Sequence, residues 1–133
     1  MDTRRLVKRE DDSSRTAMNS DAPILSWTIE PGDDSTIVHV NGDVDMLTEH
    51  EFGAAVRAAL DTPAPIVILD LGEVTFLGSI GIHTVVMAHD EACRTERTLR
   101  VVEGAAAVRR VMDVTGLNQV LSLHPTVDHA QSA

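Results

Sequence analysis

Six consecutive residues, Ile66-Val67-Ile68-Leu69-Asp70-Leu71, constrain this chain more than any others. Five are aliphatic, and they do not alternate with polar residues. A strand with one wet face alternates, so a continuous run of strand length implies a central strand covered on both faces. Thr62-Pro63-Ala64-Pro65 stops whatever precedes it, and Gly72 follows it. Cover on both faces comes from helices on a mainly parallel sheet.

The flanking segments supply those helices. Ile24 to Glu30 and Ser35 to Val40 read as two strands of a hairpin joined by Pro31-Gly32-Asp33-Asp34, and Asn41-Gly42-Asp43 breaks the second. Thr48 is predicted to open a first helix, with Glu51 at capping-box spacing and Phe52, Ala55, Val56 and Leu60 on its apolar face. Residues 72–78 read as a connection. A second helix is predicted from Ser79 to about Arg97, with Ile82, Val85, Val86, His89 and Cys93 inward. Thr98 to Val102 follows as a strand. Ala105 to Thr115 reads as a third helix, with Val108, Val111 and Met112 inward and Gly116 as its C-terminal cap. Gln119 to Leu123 reads as a last short strand. The order β-β-α-β-α-β-α-β implies a hairpin followed by right-handed parallel crossovers. Residues 1–22 are expected to be a disordered tail, 23–126 one α/β domain and 127–133 a flexible C-terminal tail.

Charge narrows the function. Residues 1–22 carry five basic and five acidic side chains, so the formal net charge of −10 falls on the remainder. An acidic body repels nucleic-acid phosphates and anionic lipid, so neither partner is expected. No apolar run approaches the roughly 18 residues of a membrane span, and the charged N-terminus lacks the apolar core of a secretory signal. The single cysteine, Cys93, reads as an inert core thiol in a reducing, cytoplasmic compartment. The six histidines show no metal-ligand spacing, there is no phosphate-binding glycine loop, and no acid–base pair stands out. A non-enzyme without a cofactor is expected.

In such sheets function gathers where loops leave the carboxyl ends of strands. Two loops qualify, Asn41 to Asp45 and Glu73 to Gly81. Ser79 lies between Gly78 and Gly81 and opens a helix. Its hydroxyl reads as an N-cap, accepting from a backbone N–H early in the helix. It also reads as a phosphoacceptor, because a phosphate there would meet free N–H groups and the positive end of the helix dipole. Asp43 and Asp45 are either turn carboxylates or acids that orient, or later repel, a group on Ser79. Ile80, His83 and Met87 share a strip off the core stripe, either scattered apolar surface or a partner interface. Thr75 and Thr84 are other possible acceptors, expected to be less exposed.

The segment VILDLGEVTFLGSIGIHTVV, with NGDVD before it and TLRVVEGAAAVRRVMDVTGL after it, resembles the STAS domain, and within it the bacterial anti-sigma factor antagonists. The resemblance spans roughly residues 25–125. It implies a small mixed sheet with helices mainly on one face, and a partner switch. The unphosphorylated antagonist would bind an anti-sigma factor that is also a serine kinase of the histidine-kinase-like ATPase fold, freeing a sigma factor. Phosphorylation would end binding, and a PP2C-type phosphatase would restore it. The family's acceptor lies in a pattern of Asp-Ser-Ser/Thr-Gly-Leu/Ile. Gly78-Ser79-Ile80-Gly81-Ile82 matches that pattern here, so Ser79 takes the acceptor's place, while Gly78 and Ile80 replace an aspartate and a hydroxyl residue. Asp45 matches the family's acid in the upstream loop. Asp43, Asp45, Thr48, Gly78, Ile80, Gly81, His83 and Met87 would then form the partner surface. Arg94-Thr95-Glu96-Arg97 stands where the family often has glycines, which affects a turn. A second reading is a STAS module without a phosphoswitch, binding a small ligand or serving as accessory subunit of a lipid-transport ATPase.

Overall fold

The computed structural model describes residues 6–8 and 25–133. Among the described residues six strands form one sheet in sequential order, β1 (Leu6–Lys8), β2 (Leu25–Glu30), β3 (Ser35–Val44), β4 (Ile66–Leu77), β5 (Thr98–Val102) and β6 (Ser122–His124). The first two pairings are antiparallel and the remaining three parallel. The crossovers are α1 (Glu49–Leu60), α2 (Ser79–Arg94) and α3 (Ala106–Val114), the last followed by a 3-10 turn at Leu117–Gln119. Helix α4 (Val127–Ser132) closes the chain.

The run at 66–71 is covered on both sides, as its composition requires. Val67, Leu69 and Leu71 belong to the main core with Phe52, Val85, Val108 and Met112 from the three crossover helices. Ile68 faces the other way, in a smaller cluster with Ile37, Val102 and Ala130 of α4. Three helices therefore lie on one face, and α4 partly covers the other.

Several expectations need correction. Leu6–Lys8 pairs with β2, so three residues of the expected disordered tail form a strand; the rest of that tail, and Ile24, lie outside the described residues. Strand β3 does not break at Asn41, nor β4 at Gly72. Both continue through register shifts between His39 and Asn41 and between Gly42 and Asp43, where β4 carries the extra residue. A bulge absorbs glycine and acidic residues that otherwise read as turn.

Helix α2 ends at Arg94; of its expected inward face Val85 is buried and Ile82 packs against the core, while the other buried positions are the small residues Gly81, Ala88 and Ala92. Small side chains let the helix sit close to the sheet. This rotation leaves Cys93 exposed, with its Sγ 3.7 Å from Nε2 of His89. The last strand begins at Ser122, and residues 127–133 hold a helix whose Ala130 is fully buried. Thr126 caps it, Oγ1 accepting from the His129 N–H at 3.1 Å. Gly116, at φ +78°, does end α3 as expected.

The face opposite the three helices carries two imidazole arrangements that set a pH window. His39 lies between Asp70 (Nδ1 to Oδ2, 2.6 Å) and Glu30 (Nε2 to Oε2, 3.1 Å). The hydrogen bond to Asp70 raises its pKa; burial opposes this, and the charges of Asp70 and Glu30 add to it. His124 lies with its Nδ1 2.8 Å from that of His129, and burial, then His129 and Arg100, lower its pKa.

The two signs differ. The raised His39 stabilises the fold below its unfolded value of about 6.5, and this is lost as pH rises through the folded value. The lowered His124 favours the fold above about 6.5, and this is lost as pH falls through its folded value. Thermal unfolding across pH 4–9 is expected to show a maximum. His39→Gln should flatten the alkaline limb and His124→Gln the acid limb. If each variant changes the limb assigned to the other, the assignment is wrong.

Candidate functional site

The carboxyl ends of β3 and β4 lie side by side, and the Gly78 N–H donates to the Val44 carbonyl at 2.8 Å. The next residue on each strand's exit is Ser79 on one side and Asp45 on the other. That bond continues the β3–β4 ladder, whose last pair is Val44 with Leu77, and so brings the two loops singled out in the sequence together. Gly81 packs just behind it. A Cβ there would lie 2.5 Å from Val44 Cγ1 and 2.6 Å from Leu77 Cδ1, so only glycine lets α2 begin this close to the sheet.

Gly78, not Ser79, occupies the N-cap position, with extended backbone at φ −82°, ψ 178°. Ser79 is the first helical residue. It is exposed, and its hydroxyl makes no hydrogen bond among the described residues. The capping role expected of it is therefore absent. Ile80 is half-buried, while His83 and Met87 are exposed along α2. Thr84 is half-buried, and its Oγ1 donates to the Ile80 carbonyl at 3.2 Å within the helix.

The β3–α1 loop is organised by its acids and by Thr48. Asp45 Oδ1 accepts from the N–H groups of Leu47 (2.9 Å) and Thr48 (3.2 Å), an Asx turn. The buried Thr48 hydroxyl donates to the Asp43 carbonyl at 2.7 Å and accepts from the Asp45 N–H at 3.0 Å. It makes no cap bond to α1, so the capping box is not formed. Asp43 projects to the surface, where its Oδ1 accepts from the Thr75 hydroxyl. Thr75 is itself exposed, contrary to expectation.

The Asx turn pushes two apolar side chains into solvent, Met46 and Leu47, each 76% exposed. Phe76 is 50% and Met87 48% exposed. One signal for the first pair is present in the sequence: two large apolar residues inside a turn have no core to enter. Met46 and Leu47 border an open groove of about 610 Å³ between α1 and α2, floored by Gly53 and Ala54. Arg57 bridges the helices at its side through a two-toothed contact to Glu91, at 2.6 and 3.2 Å. Such a surface is suited to receiving a protein partner, with apolar contacts at its centre and charges at its rim.

Among the described residues no three metal-ligating side chains gather, and no helix is long and apolar enough to cross a membrane.

Comparison with known proteins agrees with this architecture. The anti-sigma-F factor antagonist RsfA of Mycobacterium tuberculosis is 34% identical over 114 residues, covering 82% of this chain and 87% of that one. A crystal structure of an anti-sigma factor antagonist from Mycobacterium paratuberculosis superposes with a TM-score of 0.76 at 30% identity, covering 82% and 92% of the two chains. The Bacillus cell fate determinant SpoIIAA in its phosphorylated form shares the fold alone, with a TM-score of 0.60 at 16% identity over 80% and 96%. The model of the STAS domain matches residues 26–130. With that match and those relatives, the chain belongs to the STAS domain family.

Proposed function

We propose that this chain is an anti-sigma factor antagonist working as a partner switch, with Ser79 as its phosphoacceptor. Unphosphorylated, it binds an anti-sigma factor that is a serine kinase of the histidine-kinase-like ATPase fold, and so frees a sigma factor. Phosphorylated on Ser79, it lets go, and a PP2C-type phosphatase resets it. The observation that carries this reading is the exposed, unbonded Ser79 hydroxyl in the first turn of α2, at the same end of the sheet as the loop that exposes Met46 and Leu47. A phosphate there adds about −1.5 to −2 charges. The free N–H groups of the first turn accommodate it within the protein, while a partner docked on the apolar surface must desolvate it. Asp45 adds a like charge across the Gly78–Val44 bond.

Ser79→Ala is expected to abolish phosphorylation of Ser79 by the kinase while preserving binding. Ser79→Asp should weaken the complex by at least about tenfold, or 1.4 kcal/mol, by titration calorimetry. Equal affinity of wild type and Ser79→Asp sinks charge-based release.

Gly78 favours a second reading, because it leaves Ser79 without the neighbouring carboxylate of the family pattern. That reading is a STAS module without a switch, binding a small ligand or serving a lipid-transport ATPase. An anti-sigma factor that neither binds nor phosphorylates the chain would select it.

A further inference from the structure

We propose that Thr75 is a second phosphoacceptor, oriented by Asp43 on the same surface as Ser79. This rests on the partner-switch reading, because the same kinase would be its enzyme.

Three independent features of the fold single out Thr75. It is the extra residue of a bulge: the β3–β4 register passes from Gly42 opposite Val74 to Asp43 opposite Phe76, leaving Thr75 with no partner in the ladder. Bulges re-aim side chains and loosen pairing where they occur. The other edge of β4 is open at this point, since the last pair with β5 is Asp70 with Val102. An extended segment of β4 therefore stands clear of β5. Finally, the exposed Thr75 hydroxyl donates to Oδ1 of Asp43, so its proton already points at a carboxylate. The Ser79 hydroxyl has no such partner among the described residues. The acid that the family pattern places before the serine is thus absent at Ser79, and one is present at Thr75, supplied from the neighbouring strand.

In the transfer, Thr75 Oγ1 forms a bond to the γ-phosphorus of ATP. The bridging bond between the β- and γ-phosphoryl groups breaks and ADP leaves. The hydroxyl proton passes to Asp43 and from it to water. The product sets a phosphate against the Asp43 carboxylate, replacing a hydrogen bond by repulsion. Asp43 also anchors the loop carrying Met46 and Leu47, through its carbonyl to Thr48 Oγ1. A phosphate on Thr75 would therefore act on docking through the loop that Asp43 anchors, whereas one on Ser79 acts by its own charge.

The test uses the full chain, Mg-ATP and the purified anti-sigma factor kinase, with phosphopeptides sequenced by mass spectrometry. Ser79→Ala is expected to retain one phosphate, on Thr75, and Thr75→Val to retain one, on Ser79. Asp43→Asn should slow labelling of Thr75 by about tenfold or more relative to labelling of Ser79 in the same chain, a ratio from which any common loss of docking cancels. Thr75→Val keeps the branched shape at the bulge, and its unfolding temperature checks the fold. Label on Ser79 alone overturns this proposal and leaves the switch standing. Label on Thr75 alone overturns the Ser79 switch and leaves this proposal standing. Absence of any label overturns both, and equal slowing of both sites by Asp43→Asn shows that Asp43 serves docking, not orientation.

Discussion

Gly104→Ala is expected to lower the unfolding free energy by about 3 kcal/mol, measured by urea denaturation. Gly104 follows β5 at φ +64°, a left-handed conformation that costs an alanine roughly 1–2 kcal/mol. A Cβ there would also lie 2.5 Å from Gly72 Cα and 2.9 Å from the Gly72 carbonyl oxygen. Both are main-chain atoms, so no rotamer change relieves the overlap; the backbone itself must move, at about 1–3 kcal/mol. The consequence reaches the site. Gly72 sits in the first irregularity of β4, between Asp70 and Glu73, and its N–H donates to Asp70 Oδ1 at 2.8 Å. Displacing it shifts the strand segment that leads to Thr75 and Ser79. Gly53 is the control, because a Cβ there meets nothing within 4 Å. Gly53→Ala, inside α1, should stabilise by roughly 0.5–1 kcal/mol. If Gly104→Ala unfolds with the wild type, the close approach of the two glycines does not constrain the fold.

The parts of the fold written in local pattern were legible in the sequence. The unbroken run at 66–71 predicted a strand covered twice, and Ile68 and Leu69 do point into two different cores. Phe52, Ala55, Val56 and Leu60 gave the buried face of α1 at helical spacing. What depended on register was not legible. Asn41-Gly42-Asp43 and Gly72-Glu73 have turn chemistry, and only the pairing of β3 with β4 shows that bulges carry the strands through them. The face of α2 was misjudged for a related reason: Gly81, Ala88 and Ala92 look weak as core residues, yet close approach to the sheet selects small side chains.

The site divides in the same way. Glycines flanking Ser79 marked an exposed helix start, which local sequence can do. The Asp43–Thr75 contact joins residues 32 apart through a bulge, which no local pattern encodes. Helix α4 was missed because six residues after Pro125 carry too little periodicity to declare a helix, and its burial comes from the sheet face it lands on.

Arg97→Ala is expected to cost about 3 kcal/mol, an effect that sequence reading assigned to a mere turn. The Arg97 guanidinium donates to three carbonyls of the α1–β4 connection: Leu60 at 2.8 Å, Thr62 at 2.8 Å and Ala64 at 3.0 Å. That connection contains Pro63 and Pro65, which have no N–H, and Leu60 ends α1, where carbonyls lack helical partners. A cation at the helix C-terminus also meets the negative end of its dipole. Each charge-assisted bond contributes roughly 1.5–3 kcal/mol, but the three share one side chain and water reaches the carbonyls once it is gone, so the sum is not additive. Arg97→Lys should recover less than half, since an ammonium cannot reproduce the planar fork. The residue before it argues the opposite case. Glu96 has φ +61° and is the only non-glycine with positive φ among the described residues. Glu96→Gly should therefore stabilise by about 0.5 kcal/mol, relief of the left-handed strain outweighing the entropy that glycine adds to the unfolded chain. The two changes lie side by side in one turn, and opposite signs in their denaturation midpoints would separate backbone strain from the side-chain clamp. An Arg97→Ala loss below about 1 kcal/mol would show that water replaces the clamp almost fully.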